Sequence, residues 1–107
     1  MRSLLKTLDK SIINSVIRII TEFKDVEKIV IFGSRAKGNS SSVSDIDIAI
    51  FSKEWTSTDI NLVKDKLDDE VATPLRIDLL DYYSLNKENL KENILKEGIT
   101  IYDSEKN

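Results

Sequence analysis

The segment between Lys28 and Phe51 limits the possible folds more than any other part of the chain. It begins with the β-branched run KIVIF, which stops at Gly33, and it closes with SDIDIAIF, in which every second residue is isoleucine. A short apolar run before a glycine is typical of a buried strand, and strict alternation is typical of a strand with two different faces. We therefore predict two strands. The isoleucines of the second strand share one face, and the other face carries Asp45, Asp47, Ala49 and Phe51.

Two amphipathic helices are predicted around these strands. Residues 3–23 carry apolar side chains at i, i+3 and i+4 spacing with polar residues between them, which predicts a helix that covers a sheet. Residues 57–71 repeat the pattern and begin with two cap candidates, Ser57 and Thr58. Pro74 is predicted to end this second helix, because proline cannot donate a helical hydrogen bond.

The last third of the chain predicts a strand, a helix and a final strand. Residues 75–82 form an apolar run interrupted by Asp78, and residues 99–103 form a second short run. Between them, residues 85–98 have helical spacing and end at Gly98, a C-cap candidate. The residues of this helix that we expect to face the core are Leu90, Ile94 and Leu95. The order of elements predicts a small α/β or α+β domain with a short mixed sheet of three to four strands flanked by helices.

Length and composition exclude several classes of protein. With 107 residues, 40% of them apolar and 33% charged, the chain is predicted to be a single globular domain, residues 1–107. It has neither cysteine nor histidine, which excludes disulfide frameworks, cysteine zinc sites and histidine-based catalysis, so any metal must have oxygen ligands. A net charge of −3 gives no general attraction to nucleic acid or to an anionic membrane. No apolar run could span a bilayer and no secretory signal is evident, so we expect a cytoplasmic protein.

Asp45 and Asp47 are the first candidates for chemistry. Residues i and i+2 of a strand point to the same side with Cα atoms about 6.7 Å apart, so the two carboxylates project together. Their repulsion is relieved if both bind one divalent cation, and Mg²⁺ suits such oxygen ligands. The alternative is an exposed strand end with two solvated aspartates.

Three other features favour the metal site. Gly33 and Ser34 follow a buried strand, where glycine permits close approach of a ligand and serine offers donors to a phosphate. Arg35 adds a cation next to them, as does Lys37. Asp78 interrupts an apolar strand, where an unpaired charge is costly unless it pairs with Arg76 or lies at an exposed edge. Together these residues predict a site for phosphoryl-type transfer, in which the protein positions groups and neutralises charge.

The spacing of these residues resembles a known signature. Gly33-Ser34, ten residues, and Asp45-Ile46-Asp47 match the G-S-x10-D-x-D pattern of the DNA polymerase β-like nucleotidyltransferase superfamily. The text FGSRAKGNSSSVSDIDIAI and the closing segment RIDLLDYYSLNKENLKENILKEGITIYD resemble the minimal nucleotidyltransferases, the MNT group. Asp78 is the candidate for the third carboxylate, because Asp81 would point to the opposite face at the end of the strand.

The resemblance implies an activity and a set of roles. A member of this family would transfer AMP from ATP to an acceptor hydroxyl with two Mg²⁺ ions. By correspondence with the signature, Asp45, Asp47 and Asp78 would hold the metals, and Asp78 would also help to remove the proton of the acceptor. Gly33 and Ser34 would bind the β- and γ-phosphates, with Arg35 as a supporting contact.

The resemblance also implies a partner. MNT proteins often act as antitoxins that adenylylate a tyrosine on a HEPN-domain ribonuclease toxin, so we expect a hetero-oligomer with such a toxin and no direct binding of nucleic acid. Two alternatives remain open. The chain could modify a small hydroxylated molecule, as aminoglycoside nucleotidyltransferases do, or it could be an antitoxin that acts by binding alone. The residues themselves name neither the acceptor nor the preferred base.

Overall fold

The computed structural model describes residues 10–33, 46–71, 73 and 76–105. All seven helices and strands that the sequence predicts are present in this part of the chain, with a short 3₁₀ helix in addition. The helices are α1 (Lys10–Phe23), α2 (Ser57–Glu70), the 3₁₀ helix (Tyr82–Ser84) and α3 (Glu88–Glu97); the strands are β1 (Lys28–Phe32), β2 (Ile46–Phe51), β3 (Ile77–Asp81) and β4 (Ile99–Asp103). Residues 3–9, which were predicted to begin the first helix, lie outside the described residues.

The four strands form one mixed sheet in the order β3-β2-β1-β4. β1 pairs antiparallel with both β2 and β4, whereas β2 and β3 run parallel. Parallel neighbours need a crossover connection, and α2 supplies it between β2 and β3. The predicted short mixed sheet flanked by helices is therefore confirmed.

One face of the sheet carries the larger core. α1 and α2 pack on it, and they contribute Val16, Ile19, Ile20, Val63 and Leu67 to a cluster with Ile29, Ile31, Ile46, Ile48, Ile50, Ile77 and Leu79 of the strands. The predicted isoleucine face of β2 is thus confirmed. The indole of Trp55 closes one end of this cluster, where its Nε1 donates a hydrogen bond to the Asp25 carbonyl at 3.0 Å.

The other face carries a smaller core under α3. Ile94 packs there with Val30, Ala49 and Phe51, and Leu90 lies against the same group. The prediction that Leu95 faces the core is wrong, because the residue is 59% exposed. Successive helical residues are separated by about 100°, so a helix that contacts the sheet along one narrow stripe buries Ile94 and turns Leu95 outward.

Of the predicted helix caps, the one at the end of α3 is confirmed and the one at the start of α2 is wrong. Gly98 is the C-cap of α3, and its N–H donates to the Ile94 carbonyl at 3.0 Å. The N-cap of α2 is Thr56 rather than Ser57 or Thr58. Thr56 Oγ1 accepts from the Asp59 N–H at 3.1 Å, and Asp59 Oδ2 accepts from the Thr56 N–H at 2.9 Å.

The spacing of polar residues explains why Thr56 is the N-cap of α2. A capping box needs a carboxylate or amide three residues after the cap. Asp59 stands at that distance from Thr56, whereas Ser57 would have the apolar Ile60 there and Thr58 the neutral amide of Asn61. Only Thr56 therefore has a charged carboxylate at this position. Lys24 Nζ donates to Asp59 Oδ2 at 2.7 Å, and this bond together with the bond from Thr56 lowers the pKa of Asp59.

α2 ends at Glu70, and Pro74, which was predicted to end it, lies outside the described residues.

Within residues 10–33, 46–71, 73 and 76–105, no helix has both the length and the apolar character needed to cross a membrane.

Candidate active site

Three strands meet at one edge of the sheet. β1 ends at Phe32, and its antiparallel neighbour β2 begins close by, with Phe32 opposite Asp47. β3 runs parallel to β2 and begins at the same edge, with Ile46 opposite Ile77. The end of β1 and the starts of β2 and β3 therefore converge, although they are far apart in sequence.

Asp47 and Asp78 lie side by side at this edge. They are direct partners in the parallel register of β2 and β3, and neighbouring strands are about 4.8 Å apart. Both residues are half-buried, and each alternates with residues that face the larger core. Their side chains therefore share the face on which α3 packs, and they bring two carboxylates to one point.

Gly33 joins the site from the end of β1. Its φ of +80° lies in the left-handed region, which residues with a Cβ rarely adopt. A Cβ at this position would be only 2.5 Å from Asp47 Oδ2. The carboxylate of Asp47 thus rests against the backbone of Gly33, and glycine is required both for the turn and for this close approach.

The contact between Gly33 and Asp47 is a feature that sequence reasoning missed. The glycine was assigned to phosphate binding because it follows a strand. Nothing in the spacing of Gly33 and Asp47 indicates that they touch, since the contact depends on the antiparallel register of β1 and β2.

Part of the predicted site lies outside the described residues. Ser34, Arg35 and Asp45 belong to that part, as does Lys37. Of the six predicted site residues, the structure describes Gly33, Asp47 and Asp78, and it brings all three to the same edge of the sheet. The described residues contain no group of three or more acidic side chains arranged to hold a metal ion.

Asp81 occupies a different environment from Asp78 on the same strand. The residue is only 8% exposed, and its side chain lies on the face shared by Ile77 and Leu79. Its carboxylate accepts from the Tyr83 N–H at 3.1 Å and from Ser84 Oγ at 3.4 Å, so it caps the 3₁₀ helix. Burial raises the pKa of Asp81 above its ordinary value, although these hydrogen bonds oppose the shift. Alternation along β3 therefore places the two carboxylates on opposite faces of the sheet: that of Asp81 has a structural role, and that of Asp78 lies at the candidate site.

A cleft of about 500 Å³ lies at the opposite end of the sheet, where it is lined by Asp25, Val26, Glu27, Ser52, Lys53, Glu54, Tyr102 and Ser104. It contains none of the predicted site residues. Close to it, the Tyr83 hydroxyl donates to Glu27 Oε1 at 2.6 Å, which raises the pKa of Tyr83 to about 12. That hydroxyl therefore stays protonated at physiological pH. We nevertheless place the candidate site at the other edge of the sheet, because Asp47, Asp78 and Gly33 converge there.

Comparison with known proteins identifies a curated relative of similar sequence. The "Probable protein adenylyltransferase MntA" of Haemophilus influenzae is 40% identical over 78 residues, which are 70% of this chain and 65% of that relative. The aligned part of the chain thus spans just under two thirds of the curated relative.

Solved structures share the fold. The crystal structure of a toxin–antitoxin with AMP-PNP has a TM-score of 0.75 at 23% identity and covers 88% of this chain and 75% of the matched chain. A structure described as "Structure of putative minimal nucleotidyltransferase" has a TM-score of 0.68 at 25% identity and covers 92% of this chain and 95% of the matched chain. Finally, residues 14–107 match the family described as polymerase beta, nucleotidyltransferase. The chain therefore belongs to the polymerase beta nucleotidyltransferase family.

Proposed function

We propose that this protein transfers AMP from ATP to a hydroxyl group in an Mg²⁺-dependent reaction. The observation that carries the proposal is the direct pairing of Asp47 with Asp78, with Gly33 against Asp47. Two further findings support it: the relative from H. influenzae is described as a protein adenylyltransferase, and a structure of similar fold was solved with AMP-PNP.

The donor atoms at this edge suit Mg²⁺. Asp47 and Asp78 offer carboxylate oxygens, which Mg²⁺ prefers, and both residues are half-buried, so water and phosphate can complete the coordination. Asp45, two residues before Asp47, is proposed as the third ligand, and the family signature favours two ions in the site. When bound, Mg²⁺ would neutralise charge on the reacting phosphate and on the leaving pyrophosphate.

The protein's own groups would bind and orient the reactants. The turn at Gly33 and Ser34 is proposed to bind the β- and γ-phosphates through backbone N–H groups and the serine hydroxyl, with Arg35 as a supporting cation. Asp78 would accept the proton of the acceptor's hydroxyl. As this happens, the hydroxyl oxygen bonds to the α-phosphorus, and the bond between the α-phosphorus and the leaving pyrophosphate breaks. Because such catalysis depends mainly on positioning, the fixed register of β2 and β3 is its structural basis.

The acceptor is proposed to be a tyrosine on a HEPN-domain ribonuclease toxin, for which this protein would be the antitoxin. The description of one similar structure as a toxin–antitoxin and of the curated relative as MntA supports a toxin partner. The HEPN domain and the tyrosine are what the family resemblance implies. Residues 1–107 would form the single catalytic domain, and the reaction would take place in the cytoplasm, where ATP and a ribonuclease's substrates are found.

A labelling experiment tests the proposal. The purified protein is incubated with Mg²⁺ and ATP labelled at either the α- or the γ-phosphate, with and without the protein encoded beside it in the genome. We expect label on that partner from α-labelled ATP only, and none with the Asp47→Asn variant. Label on a small molecule alone would favour an aminoglycoside-type enzyme. Neutralisation of the toxin by Asp47→Asn, without label in the native case, would favour an antitoxin that acts by binding.

A further inference from the structure

Arg76 extends the paired region of β3 towards the candidate site. The Ile46 N–H donates to the Arg76 carbonyl at 2.9 Å, so the ladder between β2 and β3 continues one residue beyond the start of β3 at Ile77. Side chains alternate along such a segment. Arg76 therefore leaves the sheet on the same side as Asp78, two residues away, and on the same side as Asp47.

The guanidinium of Arg76 is exposed and has no fixed partner within the described part of the chain. Some other cations form ion pairs: Lys24 contacts Asp59 at 2.7 Å, and Arg18 contacts Glu22 at 3.8 Å. Among the residues that the structure describes, no hydrogen bond or ion pair involves the side chain of Arg76, even though Asp78 is its neighbour on the same face. An exposed guanidinium at this position is accessible to a ligand.

We propose that Arg76 binds a phosphate oxygen of the nucleotide. This inference rests on the proposed function, and it adds a binding residue on β3 to the turn on β1. Gly33 lies on one side of Asp47, and Arg76 lies beyond Asp78 on the other, so the two flank the paired carboxylates along the edge of the sheet.

The chemistry of the guanidinium suits this position. It carries a permanent charge and a planar set of donors that can bind two phosphate oxygens at once. The triphosphate and the aspartates of the site together carry more negative charge than two metal ions would neutralise, so a cation at this edge stabilises the bound nucleotide. The two aspartates cannot do this, because each repels phosphate unless a metal lies between them.

Equilibrium binding of Mg-ATP tests the inference. We expect Arg76→Ala to raise the dissociation constant about tenfold, the loss typical of a charge-assisted hydrogen bond. Arg76→Lys should give an intermediate value, because it keeps the charge but loses the planar pair of donors. Arg18→Ala is the matched control, since Arg18 is an exposed arginine on α1, which packs on the opposite face of the sheet. Its dissociation constant should be that of the native protein.

The outcomes separate this inference from the proposed function. Native affinity in Arg76→Ala, or an equal loss in Arg18→Ala, would overturn the inference even if AMP transfer proceeds. A rise confined to the KM of the acceptor would also overturn it, because Arg76 would then contact the acceptor. If Mg-ATP binds in an Arg76-dependent way but no AMP is transferred, the proposed function fails and the assignment of Arg76 stands. An unchanged unfolding midpoint in Arg76→Ala will show that the loss of affinity is not a loss of fold.

Discussion

Replacing Gly33 by alanine should damage the site more than it damages the fold. The substitution meets two obstacles, the backbone φ of +80° and the carboxylate of Asp47 at 2.5 Å from the new Cβ. The first acts on the stability of the turn. The second acts on a residue that we propose as a metal ligand.

The two effects have different magnitudes. An L-residue in the left-handed region costs roughly 1–2 kcal/mol. The new Cβ would lie roughly 0.9 Å inside the ordinary contact distance of 3.4 Å from Asp47 Oδ2, and the flexible end of the aspartate can move away at little cost in stability. That movement displaces the carboxylate by about 1 Å, which can lower a rate on the order of 100-fold.

Two measurements on each variant distinguish these effects: the free energy of unfolding in urea and the rate of AMP transfer. For Gly33→Ala we expect a loss of about 1–2 kcal/mol together with a loss of transfer on the order of 100-fold. Gly33→Asn should recover part of the stability, because asparagine tolerates positive φ better, but not the activity, since it also has a Cβ. Recovery of both in the asparagine variant would refute the argument from contact with Asp47.

Gly98→Ala is the matched control. Its Cβ would collide with the Ile94 carbonyl and with Val30 Cγ1 rather than with Asp47, and its φ of −71° is ordinary. We expect a loss of about 1–3 kcal/mol from overpacking and unchanged transfer by the folded fraction. If Gly98→Ala loses as much transfer as Gly33→Ala, the effect of Gly33 is only one of stability.

Four further substitutions test the fold. Thr56→Ala removes one half of the capping box and should lower the free energy of unfolding in urea by about 1 kcal/mol; no change would argue against the cap. The raised pKa of Asp81 means that the native state holds its proton more tightly than the unfolded chain, so this group makes stability fall as pH rises from about 3.8 through the raised pKa. The free energy of unfolding of Asp81→Asn, measured by urea titration, should therefore rise relative to that of the native protein between pH 3.8 and neutral pH. The same pH dependence in both proteins would contradict this prediction. Ile94→Ala should cost about 2–5 kcal/mol and Leu95→Ala less than about 0.5 kcal/mol in thermal unfolding; equal costs would contradict the orientation of α3.

The strands could be predicted because their pattern is local. Alternation of isoleucine in β2 and the apolar run of β1 each identify a strand without knowledge of the rest of the fold. The sequence also separates Asp78 from Asp81, since three residues along a strand reverse the face. What these patterns do not contain is the register between strands. The sequence therefore predicts that Asp78 joins the site, but not that it lies directly beside Asp47.

The errors concern choices between neighbouring positions. Ile94 and Leu95 both fit a helical apolar stripe, and the position of the sheet decides which one is buried. Thr56 and Ser57 are both good caps by residue type, and the carboxylate of Asp59 decides between them. The contact between Gly33 and Asp47 could not be predicted, because it arises from two strands pairing across the sheet.

A comparison of Asp78→Asn with Asp81→Asn tests the central claim most directly. Both substitutions replace one carboxylate of β3 by an amide of the same shape, and only the first lies beside Asp47. With α-labelled ATP, Mg²⁺ and the partner protein, we predict that Asp78→Asn abolishes AMP transfer and that Asp81→Asn retains it. Transfer that survives in Asp78→Asn, or that is lost equally in Asp81→Asn when both variants are folded, would contradict the assignment of the catalytic edge.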